Sequence, residues 1–295
     1  MSLLVVGTYP VAGGPLVMGP VSVPSDSRVQ VGDLALPGGQ GTSAMLGAAS
    51  AVAAHLGLTS PWALLAGDIG QGDGTRAVHE ALGDAIEVSR PDVIAFHYMQ
   101  PVMALMRRSL DTINRTAPHA SLVADAGGMY AAKAAGLAAQ FELMTPDVGE
   151  VGFLADSRAT HPAYVSHYLF GTQGFDPEKL ARRAYETGGA ARVLLVKGAC
   201  DHIVERGETR AVVDTPNVPA LEAIGGTGDT LTGLAVAFLA AGFPTLEAAV
   251  CAARANRQAG AAIGATPASR AFDLVEALPG VLGENLCAWT GACAR

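Results

Sequence analysis

Apolar positions along this chain fall into two alternating patterns: short unbroken runs, and longer Ala- and Leu-rich stretches that follow them. Unbroken runs without polar alternation predict strands buried on both faces. Leu3 to Val6, Trp62 to Leu65, Asp92 to Phe96, Ser121 to Asp125, Phe141 to Met144 and Arg192 to Val196 are of this kind. The stretches between them predict helices over Ala44 to Leu56, Gly74 to Leu82, Pro101 to Asn114, Tyr130 to Ala139 and Pro177 to Thr187. Three more follow, at Leu231 to Ala241, Leu246 to Ile263 and Asp273 to Leu278. Pro15 to Val23 and Arg28 to Leu36 read as extended pieces within a Gly- and Pro-rich region. His202 to Glu205 and Arg210 to Val213, joined by Arg206-Gly207-Glu208-Thr209, read as a hairpin. Strands spaced by helices imply right-handed crossovers and a mainly parallel central sheet. The expected fold is therefore α/β, a three-layer αβα sandwich. With no internal repeat or low-complexity linker, residues 1–295 read as a single domain.

Composition agrees with buried parallel strands under Ala-rich helices, since half of the residues are hydrophobic and only 5% are aromatic. A net charge of −8 disfavours nucleic acid as the main partner, because no basic face would meet its phosphates. The longest apolar run, Leu231 to Phe243, is shorter than the roughly 20 residues that span a bilayer, so no membrane partner is expected. Met1 to Gly7 carries no basic residue ahead of its apolar stretch and reads as a first strand rather than a signal peptide. Cys200, Cys251, Cys287 and Cys293 form no Cys-x-x-Cys pair, which points to reduced thiols and a cytoplasmic address, with an adventitious Cys287–Cys293 pair as the lesser alternative.

The chemistry concentrates in Ile224-Gly225-Gly226-Thr227-Gly228-Asp229-Thr230-Leu231-Thr232-Gly233. Glycines immediately before a buried helix let the backbone approach an anion, and the first free N–H groups of the helix point at it. Gly226, Thr227 and Gly228 are thus the candidate anion hole. Asp229 is a carboxylate beside it, suited to take a proton from a hydroxyl that attacks a phosphoryl group. Asp125, Asp147 and Lys197 also fall just after predicted strands, and ligands of parallel sheets bind at those carboxyl ends.

The order of these motifs carries a resemblance. Asp125 after a strand, then Thr145-Pro146-x-x-Gly149-Glu150, Val196-Lys197-Gly198 and Gly226-Thr227-Gly228-Asp229 resembles the ribokinase-like superfamily. Within it the chain is most similar to the ADP/ATP-dependent NAD(P)H-hydrate dehydratases, over roughly Asp92 to Leu282. The resemblance implies an enzyme that uses ATP or ADP with Mg²⁺ on a small-molecule substrate. It makes Asp229 the base, lines the nucleotide with Lys197, Gly198, Ala199, Cys200 and Asp201, and gives Glu150 the organisation of magnesium through water. Asp125 and Asp147 then belong to the substrate side. Phosphorylation of the substrate hydroxyl, followed by elimination, would restore NAD(P)H.

The chain also departs from that pattern. The dehydratases carry His after Thr-Pro, where this chain has Asp147. Their Gly-Pro-Gly-Leu-Gly loop is absent, and His97-Tyr98-Met99-Gln100-Pro101 follows the strand instead. Pro37-Gly38-Gly39-Gln40-Gly41 ahead of an Ala-rich helix resembles the sugar-binding segment of ribokinase-type kinases, which adds Gly39 and Gly41 as substrate candidates. Two other readings therefore stay open: an ATP-dependent kinase for a sugar, nucleoside or vitamin precursor, and a non-catalytic nucleotide-binding protein. Bland roles stay open for single residues as well. Glu150 and Asp125 also read as helix caps, Lys197 as a solvated strand end, Gly38 to Gly41 as a plain turn, and His97 and Tyr98 as packing residues. An aromatic insert at about 156–176, with Tyr164, Tyr168, Phe170 and Phe175, reads as a homo-oligomer contact or a substrate lid.

Overall fold

The structure, a computed structural model, describes residues 2–23, 28–161 and 176–291. Its central strands show why the sequence runs are unbroken rather than alternating. In β1 (Leu3–Tyr9), Leu3 and Val5 enter one apolar core while Leu4 and Val6 enter a second on the opposite side of the sheet. The same division holds in β5 (Trp62–Gly67), β6 (Val93–Phe96) and β9 (Val193–Val196). Side chains of a strand alternate faces, so a strand covered by helices on both sides must be apolar at every position.

Completing the sheet are β2 (Val17–Ser22), β3 (Arg28–Val31), β4 (Leu34–Pro37), β7 (Ser121–Ala124), β8 (Leu143–Met144), β10 (Asp201–Glu205) and β11 (Glu208–Val213). Among the described residues the order is β11-β10-β9-β8-β7-β6-β1-β5-β2-β3-β4. The six strands from β9 to β5 are parallel. Antiparallel pairs extend both edges: β10 and β11 beyond β9, and β2 to β4 beyond β5. One face is covered by α1 (Thr42–His55), α8 (Thr227–Ala240), α9 (Thr245–Ala262) and α10 (Ala271–Thr290). The other is covered by α2 (Asp73–Glu80), α3 (Leu82–Ser89), α4 (Met103–Thr116), α5 (Ala126–Ala134), α6 (Val148–Ala155) and α7 (Pro177–Glu186). The molecule is the expected three-layer αβα sandwich.

Helix α8 is buried along its length from Asp229 to Ala240. That explains an apolar run with no polar stripe. It packs on α1 through Gly233, where a Cβ would lie 2.2 Å from the carbonyl oxygen of Met45. No side chain fits there, so the glycine sets how closely the two helices meet.

Several elements differ from the sequence reading. The helix expected over Gly74 to Leu82 is α2, and a further helix that was not expected, α3, follows it and buries Leu82, Ala85, Ile86 and Ser89 at helical spacing. Helix α5 begins at Ala126 rather than Tyr130, because the Asp125 carboxylate accepts the Ala126 N–H. Helix α10 continues past Leu278 to Thr290, with Pro279 on its exposed side, where a proline is tolerated more easily. Of the cysteines, Cys200 and Cys251 are free thiols. Cys287 is disulfide-bonded, against the expectation of a reduced thiol, and Cys293 lies outside the described residues. The centre of the aromatic insert, residues 162–175, lies outside them too. No described helix is long and apolar enough to cross a membrane.

Parallel pairing of β6, β7, β8 and β9 brings their carboxyl ends to one edge. The residues just beyond are His97, Asp125, Thr145 and Lys197, and a parallel bridge joins Asp147 to Lys197.

Candidate active site

The glycine-rich loop enters α8 through Gly226, whose φ of 99° is the left-handed conformation that favours glycine. A Cβ on Gly226 would also lie 2.8 Å from both Gln40 Cα and Ala271 Cβ. No side chain caps the helix. Thr227 turns its hydroxyl back to the carbonyl oxygens of Leu221 and Ile224, leaving the backbone to face the cavity. A Cβ on Gly228 would stand 3.4 Å from Lys197 Nζ. The loop therefore presents helix-dipole and ammonium charge to the same space, as anion binding requires.

Asp229, in the first turn of α8, is held on both oxygens. Oδ1 is 3.0 Å from His97 Nε2, and Oδ2 accepts the Gly41 N–H at 2.7 Å. Burial works to raise this carboxyl, but the His97 contact, Lys197 and the Gly41 N–H hold it below the ordinary aspartate value. It is a carboxylate at neutral pH, ready to accept a proton. Asp125, 2% exposed, lies beside it. Its two oxygens accept from Lys197 Nζ at 3.0 and 3.1 Å, and the Thr232 hydroxyl donates at 2.7 Å. Burial acts to lower the Lys197 ammonium, but the Asp125 and Glu150 carboxylates outweigh it, so the side chain stays charged. Lys197 is thus a buried, paired cation, and the solvated reading fails.

Asp147 and Glu150 form a reciprocal cap on α6. The Asp147 carboxylate accepts the Glu150 N–H at 2.7 Å, and Glu150 Oε2 accepts the Asp147 N–H at 2.8 Å. The other Glu150 oxygen accepts from the Tyr130 hydroxyl at 2.6 Å. Burial pushes the Glu150 carboxyl up to about 7, with Lys197 opposing and Asp125 and Asp147 adding to the rise. The capping role that the spacing suggested is real. It also gives both Glu150 oxygens a protein donor, so a cation would be held there through water.

The turn after Lys197 is pinned from α9. Arg257 donates from Nε to Asp201 at 2.7 Å and from Nη2 to the carbonyl oxygens of Gly198 and Ala199, each at 2.9 Å. Asp201 is therefore a buried anchor of the turn, raised by burial against the pull of Arg257. Arg257→Lys keeps the charge but loses the planar fork that reaches three acceptors. We expect it to cost roughly 1–2 kcal/mol of stability, and to weaken ATP or ADP binding several-fold with kcat preserved. Calorimetric titration beside a urea melt checks both; unchanged affinity would remove Arg257 from the nucleotide side.

These groups surround one cavity of about 690 Å³. Of the sequence candidates it is lined by Asp125, Asp147, Glu150, Lys197, Gly198, Ala199, Asp201, Gly226, Thr227, Gly228 and Asp229. Cys200 is exposed and, like Gly39, is not among the lining residues. Gly41 reaches the site through its N–H to Asp229. Sequence reasoning missed Asn256 and Arg257, which are buried in α9; the polar run Arg254 to Gln258 within an Ala-rich helix was the available signal. It left His97 and Tyr98 undecided. His97 is fully buried against Asp229, whereas Tyr98 is 46% exposed and lines the cavity.

The family of NAD(P)H-hydrate dehydratases matches residues 106–279, which carry Asp125, Lys197 and the glycine loop. The chain belongs to this family. An ADP-dependent (S)-NAD(P)H-hydrate dehydratase of Xanthomonas campestris is 31% identical over 276 residues, covering 90% of this chain and 86% of that one. An uncharacterized protein of Methanocaldococcus jannaschii is 35% identical over 220 residues, 75% of this chain and 90% of its own length. Among solved structures, the ADP/ATP-dependent NAD(P)H-hydrate dehydratase of Bacillus subtilis superposes with a TM-score of 0.52 at 17% identity, covering 96% of this chain and 91% of that one. A pyridoxal kinase of Staphylococcus aureus superposes at 0.54 with 13% identity and 88% of each chain. At such identities the two structures establish the ribokinase-like fold. Family membership makes this chain an enzyme, a dehydratase or a related kinase.

Proposed function

We propose that the protein is a nucleotide-dependent NAD(P)H-hydrate dehydratase. The observation that carries this reading is the Asp229 carboxylate in the first turn of α8, with the uncapped Gly226–Gly228 backbone and the Lys197 ammonium opening on the same cavity. In the first step Asp229 takes the proton of the substrate hydroxyl, and that oxygen bonds to the terminal phosphorus of ATP or ADP. The bridging P–O bond breaks, leaving its electron pair on the departing nucleotide. The loop N–H groups and Lys197 hold the charge on the transferring group. In the second step the substrate C–O bond breaks with its electron pair going to the departing phosphate, the C–H electron pair of the neighbouring ring carbon forms the double bond of NAD(P)H, and the released proton leaves with the phosphate as hydrogen phosphate. Asp147, which stands where the dehydratases carry His, caps α6 by accepting the Glu150 N–H.

Magnesium belongs to this reading, and the donor set fits it. Carboxylates outnumber cations along the cavity, and Asp147 and Glu150 offer the oxygen donors a hard, water-retaining cation prefers. When bound, magnesium would neutralise phosphate charge. The tighter His97–Asp125–Asp229 group is already engaged by Lys197, Thr232 and its own hydrogen bonds. A cytoplasmic address and a homo-oligomeric assembly complete the reading.

One observation favours a second reading. Gly41, in the segment that resembles the sugar-binding part of ribokinase-type kinases, reaches Asp229 directly, as a kinase for a small alcohol would have it. Incubating the protein with hydrated NADH and ATP or ADP, and following NADH absorbance, separates the two. Nucleotide-dependent recovery of NADH is expected. No recovery, with labelled phosphate appearing on a sugar or vitamin alcohol, would make the enzyme a kinase.

A further inference from the structure

The corner after β6, where the chain departs from the dehydratase pattern, places a histidine against the proposed base. His97 is wholly buried, so water does not compete for its ring nitrogens. A carboxylate oxygen only accepts, so the 3.0 Å contact at Asp229 Oδ1 needs a proton on Nε2. The far side of the ring is fixed as well. Nδ1 lies 3.0 Å from Thr42 Oγ1, and that oxygen is 2.9 Å from the carbonyl oxygen of Thr8 on β1. Tyr98 packs edge-on against the ring, with centroids 4.5 Å apart. The charged groups facing His97 are Asp229 from α8 and Asp125 from the end of β7, at 3.8 Å, with Lys197 from β9 bound to Asp125.

We propose that His97 is a positioning residue for Asp229, its Nε2–H and the Gly41 N–H clamping the carboxylate so that its remaining lone pairs face the cavity. The inference rests on reading Asp229 as the base. The two donors come from different parts of the chain, β6 and the entry to α1, and grip different oxygens. Rotation about the Asp229 side chain would break at least one of them. A base that points at the hydroxyl in every encounter gains rate without gaining affinity, because the clamp acts on the protein and touches no substrate. Thr42 then orients the orienting residue, which accounts for a hydroxyl at the start of an otherwise Ala-rich helix.

The test compares His97→Ala, His97→Gln and Thr42→Val in the hydrated-NADH reaction, with labelled phosphate transfer to small alcohols run in parallel. Gln places an amide N–H near the position of Nε2, so it keeps the donor without the ring. His97→Ala is expected to lower kcat about 10²-fold with KM changed less than about 2-fold. His97→Gln should return kcat to within about 10-fold of the parent, and Thr42→Val should fall between them. A loss confined to KM, or His97→Gln no better than His97→Ala in a folded protein, would overturn the inference. Long-range ¹H–¹⁵N spectra of the histidine rings in the intact chain read the same contact with no substrate present. A protonated Nε2 on His97 is expected, perturbed in Asp229→Asn; an unprotonated Nε2 would overturn the inference by itself. Failure of the underlying reading looks different: Asp229→Asn would keep its turnover, or the wild-type protein would turn over neither class of substrate.

Discussion

Asp229→Asn should bind ATP or ADP as the parent does and turn over at least about 10²-fold more slowly. The substitution preserves shape and removes the ability to take a proton. Nucleotide contacts are expected from the Lys197–Asp201 turn and from the loop backbone, which the change leaves in place. The cost to the fold is modest. Asn offers one oxygen where the carboxylate offers two, so either His97 Nε2–H or the Gly41 N–H meets an amide N–H instead of an acceptor. Leaving one buried donor unmatched costs about 1–3 kcal/mol. Calorimetric titration with nucleotide, beside the NADH absorbance assay, separates binding from chemistry. Near-full turnover in a folded Asp229→Asn protein would remove Asp229 from the role of base, and with it the mechanism proposed above.

The second large effect is expected at Lys197→Met. Asp125 is almost wholly inside the protein and depends on the Lys197 ammonium for neutralisation. Removing one member of a buried ion pair leaves an uncompensated charge, a loss of about 3–5 kcal/mol. Adding Asp125→Asn removes that charge and keeps an oxygen for the Ala126 N–H, while the new amide N–H faces the Thr232 hydroxyl, which can accept it and donate to the Gly228 carbonyl oxygen instead, so the double variant should recover most of the lost stability. Activity should not recover with it, because the cation beside Gly228 is still missing from the phosphate side of the cavity. Urea melts of the single and double variants, read against the rate assay, test this. If the double variant regains both stability and rate, Lys197 serves the fold alone. If the single variant melts as the parent does, the pair does not carry the stability assigned to it.

The parts of the site that were legible in the sequence are those whose function is local. The Gly226–Asp229 loop is a backbone device: glycines that permit a left-handed turn, a helix start, and an acid one step inside it. All of that is written in consecutive residues. The Asp147–Glu150 cap is legible for the same reason, since its two hydrogen bonds close within one turn. Burial of each central strand on both faces followed from unbroken apolar runs. Helix α3 was hidden because it follows α2 with only Ala81 between them and shares its periodicity.

What sequence could not supply is pairing across the chain. Gly41 meets Asp229 over 188 positions and His97 meets it over 132. Nothing in the residues around 41 or 97 encodes those partners. They meet because β1 lies between β5 and β6 in the sheet and α1 packs on α8 through Gly233, so the strand ends and helix starts converge on one edge. Arg257 is the same case: a charge on a helix is ambiguous until the fold shows that it turns inward to hold Asp201 and two carbonyl groups. By itself, then, the sequence determined the fold class and marked the glycine loop and Asp229 as candidates for anion binding and proton transfer, because each depends on hydrogen bonds and periodicities that close within a few residues. Only the tertiary structure decided what holds the Asp229 carboxylate and what neutralises Lys197, because those answers depend on strand order and on burial, which turn distant polar groups into obligatory partners.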